Sequence, residues 1–184
     1  MNIIQTKLPE VLLFKPKVFA DERGFFYESF QQSRYAAAGI NLFFCQDNHS
    51  RSTQGVLRGL HYQTQQAQGK LVTIIRGAVF DVAVDIRRNS PTFGQWVGEI
   101  LTDENHHQLY IPPHFAHGFY VLSAEADFYY KCTDYYYPQY DAGIRWDDPN
   151  IGIDWPLIAE PLLSDKDLAQ PLLKNIDPNR LPIY

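Results

Sequence analysis

Between residues 42 and 136 the chain is a close succession of short strand-like segments, and this feature most limits what it can fold into. Eight segments read as strands: Leu42–Asn48, Gly55–Gln63, Lys70–Arg76, Ala78–Ile86, Gln95–Leu101, Gln108–Ile111, Gly118–Leu122 and Asp127–Tyr136. Gly, Pro and Asn punctuate them at Gln68-Gly69, Arg76-Gly77, Asn89-Ser90-Pro91 and Pro112-Pro113, where turn chemistry is expected. Val11–Phe14 and Gly24–Phe30 precede them; in the latter, alternation puts Phe26, Glu28 and Phe30 on one face. Strands so regularly spaced predict a mainly β sandwich, jelly roll or barrel. Neither a βαβ rhythm nor a glycine-rich phosphate loop is present. Helix is expected only at Ser33–Ala38, closed by Gly39, and from Ser164-Asp165-Lys166-Asp167 to about Lys174. The Pro- and Asp-richer tail after Pro138 is too short for a second domain, so residues 1–184 are expected to form one.

Composition narrows the function. With 12 Tyr, 12 Phe and 3 Trp, the chain has flat surfaces for stacking on a planar ligand. A net charge of −5 gives no global field for nucleic acid, so an anionic ligand must be held by local Lys and Arg. The two cysteines, Cys45 and Cys132, form no CxxC pair; they read as reduced thiols rather than a disulfide framework or zinc site. No secretory segment and no membrane-length apolar run is visible, which makes a cytoplasmic location without membrane association the expectation.

Candidate chemistry gathers around His61. Gly55, His61, Gln63, Lys70 and Gly77 are spaced in a way that resembles the first motif of the cupin superfamily, and His117 fits the second. Metal-binding members place His, His and Glu where this chain has His61, Gln63 and Lys70. An ammonium has no lone pair to give a cation and repels it. His61 and His117 alone are a poor donor pair, so no metal is expected.

A longer set of blocks is more specific. Gly55-Val56-Leu57-Arg58-Gly59-Leu60-His61-Tyr62-Gln63 strongly resembles the sugar-nucleotide epimerase family typified by dTDP-4-dehydrorhamnose 3,5-epimerase. So do Phe19-Ala20-Asp21-Glu22-Arg23-Gly24-Phe25-Phe26-Tyr27-Glu28, Gln46-Asp47-Asn48-His49-Ser50, Gly69-Lys70-Leu71-Val72, Phe115-Ala116-His117-Gly118-Phe119, Tyr130–Tyr136 and Leu163-Ser164-Asp165-Lys166-Asp167, in the family's order across nearly the whole chain. The resemblance implies a cupin-type jelly-roll β-barrel with a few short helices, including a C-terminal one. It implies an isomerase that exchanges protons at C3 and C5 of a dTDP-linked 4-keto-6-deoxyhexose, without cofactor, in dTDP-rhamnose biosynthesis.

That reaction needs a base near neutral pKa, a fixed positive charge at the enolate oxygen, and an acid on the opposite face of the ring. The resemblance assigns these to His61, Lys70 and Tyr130, with Asp167 orienting His61. It assigns substrate contacts to Arg23, Glu28, Gln46, Asp47, Asn48, Arg58, His117, Tyr136, Asp141 and Lys166, with Tyr136 stacking on the nucleotide base. Asp141 stands where the family often has Glu, and the shorter carboxylate reaches less far. Strand parity puts Tyr130 and Tyr136 on one face. Arg58 and His61, three apart, would lie on opposite faces of a regular strand, so an irregularity is expected at Gly59. The resemblance also implies a homodimer with exchanged N-terminal strands, Arg23 and Glu28 reaching ligand across the interface.

Blander readings exist for several residues. His61 could be a hydrogen-bonded core histidine, Lys70 a strand-start lysine, Tyr130 one more packed aromatic. Asp167 could cap a helix with Ser164, Lys166 could be a solvated helix residue, and Arg23 and Glu28 could form surface ion pairs. For the chain as a whole, a C3-only epimerase, a 3,4-ketoisomerase, a metal-dependent cupin and a non-catalytic sugar-binding jelly roll stay open.

Overall fold

The computed structural model describes residues 1–184. Its strands are β1 (Asn2–Gln5), β2 (Leu12–Lys15), β3 (Phe19–Asp21), β4 (Gly24–Phe26), β5 (Gln46–Thr53), β6 (Leu57–Gln63), β7 (Lys70–Arg76), β8 (Ala78–Asp85), β9 (Trp96–Thr102), β10 (Gln108–Ile111), β11 (Phe115–Val121), β12 (Glu125–Cys132) and β13 (Asp141–Gly143). Two short helices, α1 (Gln32–Ala37) and α2 (Asp165–Leu168), accompany them. One antiparallel sheet runs β1-β2-β10-β7-β12-β5 and another β13-β6-β11-β8-β9, while β3 and β4 pair only with each other. From β5 onward the chain changes sheet at every step except β8 to β9. The mainly β, two-sheet architecture agrees with the strand spacing, and its sheet-to-sheet crossovers with the jelly roll that the family resemblance implied.

The core follows from alternation. Val72 and Ile74 of β7, Leu109 and Ile111 of β10, and Phe128 of β12 meet Val79 and Ala83 of β8, Leu101 of β9, and Phe119 of β11 between the sheets. Burying each large apolar side chain there contributes about 1.5–3 kcal/mol. The outer face of the five-stranded sheet is covered by the C-terminal tail, where Leu60, Val82, Val84 and Ile144 pack on Ile151, Leu173, Ile176 and Leu181. On the other sheet, Phe14, Leu71 and Tyr110 receive Tyr35 of α1 together with Ile40 and Phe44. No helix is long and apolar enough to cross a membrane.

Several expected boundaries move, each for a physical reason. The strand expected at Leu42–Asn48 lies instead at Gln46–Thr53. The apolar run before it breaks up, Phe44 packing under α1 while Phe43 is 73% exposed. β5 is an edge strand whose polar residues carry no apolar alternation. The strand expected over Gly24–Phe30 stops at Phe26, because β4 has only β3 to pair with. β11 begins earlier than expected, at Phe115. β12 ends at Cys132 rather than Tyr136, Thr133 being taken up by the Gly69 turn through a 2.7 Å bond from the Gly69 N–H to Oγ1. The C-terminal helix stops at Leu168 instead of Lys174, since Pro171 disfavours helix in the residue before it. β1, β3 and β13 have no counterpart among the expected strands.

Candidate active site

His61 on β6 and His117 on β11 are register partners. They come from the five-stranded sheet; Lys70, opening β7, and Tyr130 on β12 come from the facing sheet. These four side chains, with Tyr136, Asp141 and Lys166, line one cavity of about 230 Å³ between the sheets.

The expected irregularity at Gly59 is present. His61 is opposite His117 and Arg58 is opposite Phe119, so β6 carries one extra residue between them. Gly59 takes φ +131°, and a Cβ there would lie 2.5 Å from the Gly118 Cα, which only glycine avoids. The Arg58 guanidinium bonds the Ser52 hydroxyl at 3.0 and 3.2 Å. It is also near enough to Tyr130 to favour the phenolate, although burial outweighs it and pushes that phenol up to about 12. Tyr130 is therefore protonated throughout the neutral range.

His61 Nε2 meets Asp167 Oδ1 at 2.5 Å, leaving Nδ1 with no protein partner. Asp167 is held in turn by α2. Ser164 donates its hydroxyl to Oδ2 at 2.6 Å and accepts the Asp167 N–H at 3.2 Å. Capping and imidazole orientation are thus one arrangement, not alternatives. Burial would raise the Asp167 carboxyl, but bonds from His61 and Ser164 hold it below the usual range. An ionised Asp167 fixes the imidazole tautomer with its proton on Nε2, and Nδ1 is free to accept.

A second histidine–carboxylate pair stands beside it. His117 Nε2 is 2.7 Å from Asp81 Oδ1, and His117 Nδ1 is 3.5 Å from Lys70 Nζ. Burial pushes His117 down despite Asp81, so it is neutral, donating to Asp81 and accepting from Lys70. Asp81 is fully buried and its Oδ2 has no hydrogen-bond partner. Burial also lowers the Lys70 ammonium, opposed by the charges of Asp81 and Asp141. A metal does not suit this donor set: Lys70 brings a positive charge against His117, and the side chain of Gln63 is committed to backbone groups.

At the mouth, Tyr136 donates to Asp141 Oδ2 at 3.2 Å and Lys166 pairs with the same oxygen. The rim thus joins the loop after β12, strand β13 and helix α2. Tyr136 lies beyond the end of β12, so parity does not place it; the loop does. Gln46 accepts the Tyr136 N–H at 3.0 Å and donates to Asn48 at 3.2 Å; Asn48 is register partner of Tyr130.

Other expected contacts lie away from the cavity within one chain. Asp47 projects from the opposite face of β5, bound to Lys131 at 2.8 Å and to the Tyr129 hydroxyl at 2.8 Å. Arg23 pairs with Asp21 on the β3–β4 hairpin, and Glu28 with Arg34 of α1 at 3.2 Å. Residues that sequence reasoning did not single out are Asp81 and His114; Ser164 was read only as the capping partner of Asp167. Asp81 carried a readable signal, an acid inside the apolar run of β8. His114 lines the cavity at φ +72°, and nothing local in the sequence marks it.

Known proteins that resemble the chain agree with one another. The sequence model described as dTDP-4-dehydrorhamnose 3,5-epimerase matches residues 5–175. A dTDP-4-dehydrorhamnose 3,5-epimerase of Pseudomonas aeruginosa is 58% identical over 91% of this chain and 93% of its own length. One of Methanothermobacter thermautotrophicus is 51% identical over 100% of this chain and 97% of its own. Among solved structures, a dTDP-6-deoxy-D-glucose-3,5-epimerase of Legionella pneumophila in complex with dTDP-4-keto-L-rhamnose superposes with a TM-score of 0.98. It is 61% identical, and the match covers 100% of this chain and 98% of that one.

Proposed function

The chain belongs to the dTDP-4-dehydrorhamnose 3,5-epimerase family, and we propose that it inverts C3 and C5 of dTDP-4-dehydro-6-deoxy-D-glucose to give dTDP-4-dehydro-L-rhamnose, a step of dTDP-rhamnose biosynthesis. One observation carries this reading. The His61–Asp167 pair and the Tyr130 phenol approach a single cavity from opposite sheets, and the Lys70 ammonium lines that cavity.

His61 takes the proton from the carbon beside the ketone through Nδ1, and Asp167 stabilises the imidazolium that results. The electron pair of the broken C–H bond moves into an enolate whose oxygen Lys70 holds. Donors set in advance at such an oxygen are worth about 10²–10³ in rate. Tyr130 then gives its proton to the opposite face of the same carbon. His61 releases a proton to solvent and Tyr130 regains one, so each inversion leaves the enzyme unchanged and needs no redox partner. Arg58 and His117 border the sugar end, while Tyr136, Asp141 and Lys166 border the nucleotide end. Arg23 and Glu28 contact the ligand from the second copy in a homodimer.

Incubation with the 4-keto-6-deoxyglucose nucleotide in deuterated water tests the reaction. Deuterium at both C3 and C5 of the product is expected. Label at C3 alone would make the enzyme a monoepimerase, and no label at either carbon would overturn enolate chemistry.

A further inference from the structure

We infer that Gln63 is a positioning residue for nucleotide binding: its side-chain amide fixes the loop that presents Tyr136 at the cavity mouth. The inference rests on the reading of Tyr136 as the residue that stacks on the base.

Gln63 ends β6 and is only 7% exposed. Every hydrogen-bonding direction it has toward the loops is used. Nε2 donates to the carbonyls of Gln66 at 2.6 Å and Tyr135 at 3.2 Å, and Oε1 accepts the Tyr137 N–H at 2.6 Å. The amide therefore grips the backbone on both sides of Tyr136 and ties that loop to the turn after β6. Two further glutamines complete the hold, Gln68 donating to the Asp134 carbonyl at 2.8 Å and Gln46 accepting the Tyr136 N–H at 3.0 Å. The ladder of β12 has ended at Cys132, so these side-chain bonds replace sheet pairing along residues 134–137.

The Tyr136 side chain itself is 49% exposed and has only the Asp141 carboxylate as a polar anchor. Its ring position is thus inherited from the backbone beneath it. Buried amide bonds are costly to leave unmade, so a Gln63 without its amide frees the loop rather than re-pairing it. The base then meets a ring that must be ordered on binding, a cost that falls on affinity. Gln63 lines the same cavity as His61, Tyr130 and Lys70 but hydrogen-bonds none of them, and the chemical step is expected to be spared.

The test is Gln63→Leu, measured for KM, for kcat at saturating substrate, and for the Kd of dTDP alone. A rise of about tenfold in both KM and Kd is expected, with kcat within about threefold of the parent. In a Tyr136→Ala background the same substitution should change the dTDP Kd by less than about twofold, because there is no ring left to position. A fall in kcat with KM and Kd unchanged, or a Kd effect that persists in full without Tyr136, would overturn the inference. Tyr136→Ala alone separates the two ideas: unchanged dTDP affinity there would sink the stacking reading itself. Should Gln63→Leu not fold, Gln68→Leu, which releases the same loop at Asp134, is expected to weaken dTDP binding about threefold, and no change in Kd would count against the loop's role.

Discussion

At the scale of single residues, the site works by holding a base, a cation and an acid in fixed places around one cavity. His61→Ala removes the base and is expected to lower turnover ~10²–10⁴-fold while dTDP binding survives; steady-state kinetics beside a binding titration read both. Lys70 offers a sharper test through pH. Burial lowers its ammonium, so it loses its proton at a lower pH than an exposed lysine. Activity that depends on this charge falls as pH rises through that point. In Lys70→Arg, whose guanidinium keeps its proton, the alkaline fall should move to higher pH, even if the peak rate is lower. A pH–rate profile with the fall unmoved would remove Lys70 from that role. Tyr130, pushed up to about 12 by burial, cannot produce an alkaline limb in the usual assay range. These residues were legible because their types and order match a family whose chemistry requires them. Asp81 was marked in the sequence only as an acid inside an apolar strand; its role lies in what packs against it, His117, itself 36 residues away, and through it Lys70.

Elements were legible where an apolar run is framed by turn residues and lost where it is not. β7 and β10 lie where the pattern put them, because each is apolar and framed by turns. β5 and the end of β12 did not, since their bonds are decided by neighbours. The connection from β8 to β9 shows the same dependence and can be tested. Asp85 ends β8 and accepts from Arg87 Nε at 2.9 Å, Ser90 Oγ at 2.6 Å and Thr92 Oγ1 at 2.6 Å. Burial would raise its carboxyl, but these bonds override that and hold it at about 2, against an ordinary 3.8. The folded value is the lower one, so its contribution is complete above about pH 4 and is lost as pH falls toward 2. Asp85→Asn should cost roughly 1–3 kcal/mol at neutral pH, because Arg87 loses one of its two carboxylate partners and keeps only Glu10. It should also flatten the loss of stability between about pH 4 and pH 2. Denaturant melts across that range measure both.

For the whole molecule, the unexplained surface is the β3–β4 hairpin. It carries Phe19, Phe25 and Phe26 at 55%, 61% and 69% exposure, pairs with no other strand, and bears Arg23 away from the cavity. Clustered exposed aromatics mark an interaction surface, and a second copy of the chain is the partner the proposed reading requires. Phe26→Asp is expected to shift the protein toward monomer in sedimentation and to reduce activity with it. A fully active monomer at micromolar concentration would refute any contribution of the hairpin to the neighbouring site. None of this could be read from periodicity, which reports which face is apolar and not what covers it.

The glycine pair at Gly59 and Gly118 bears on how such an enzyme could be altered. A Cβ on Gly118 would lie 2.7 Å from the Arg58 carbonyl oxygen, just as one on Gly59 would strike Gly118. Backbone presses on backbone there, beside His61 and His117, with Leu60 Cδ2 also in reach of a methyl on Gly118. The catalytic wall is in that sense incompressible, its spacing set by two missing methyl groups. The rim of Tyr136, Asp141 and Lys166 is built wholly of side chains on three separate elements. Diversification toward other nucleotide sugars, natural or engineered, is therefore expected at the rim rather than at this wall.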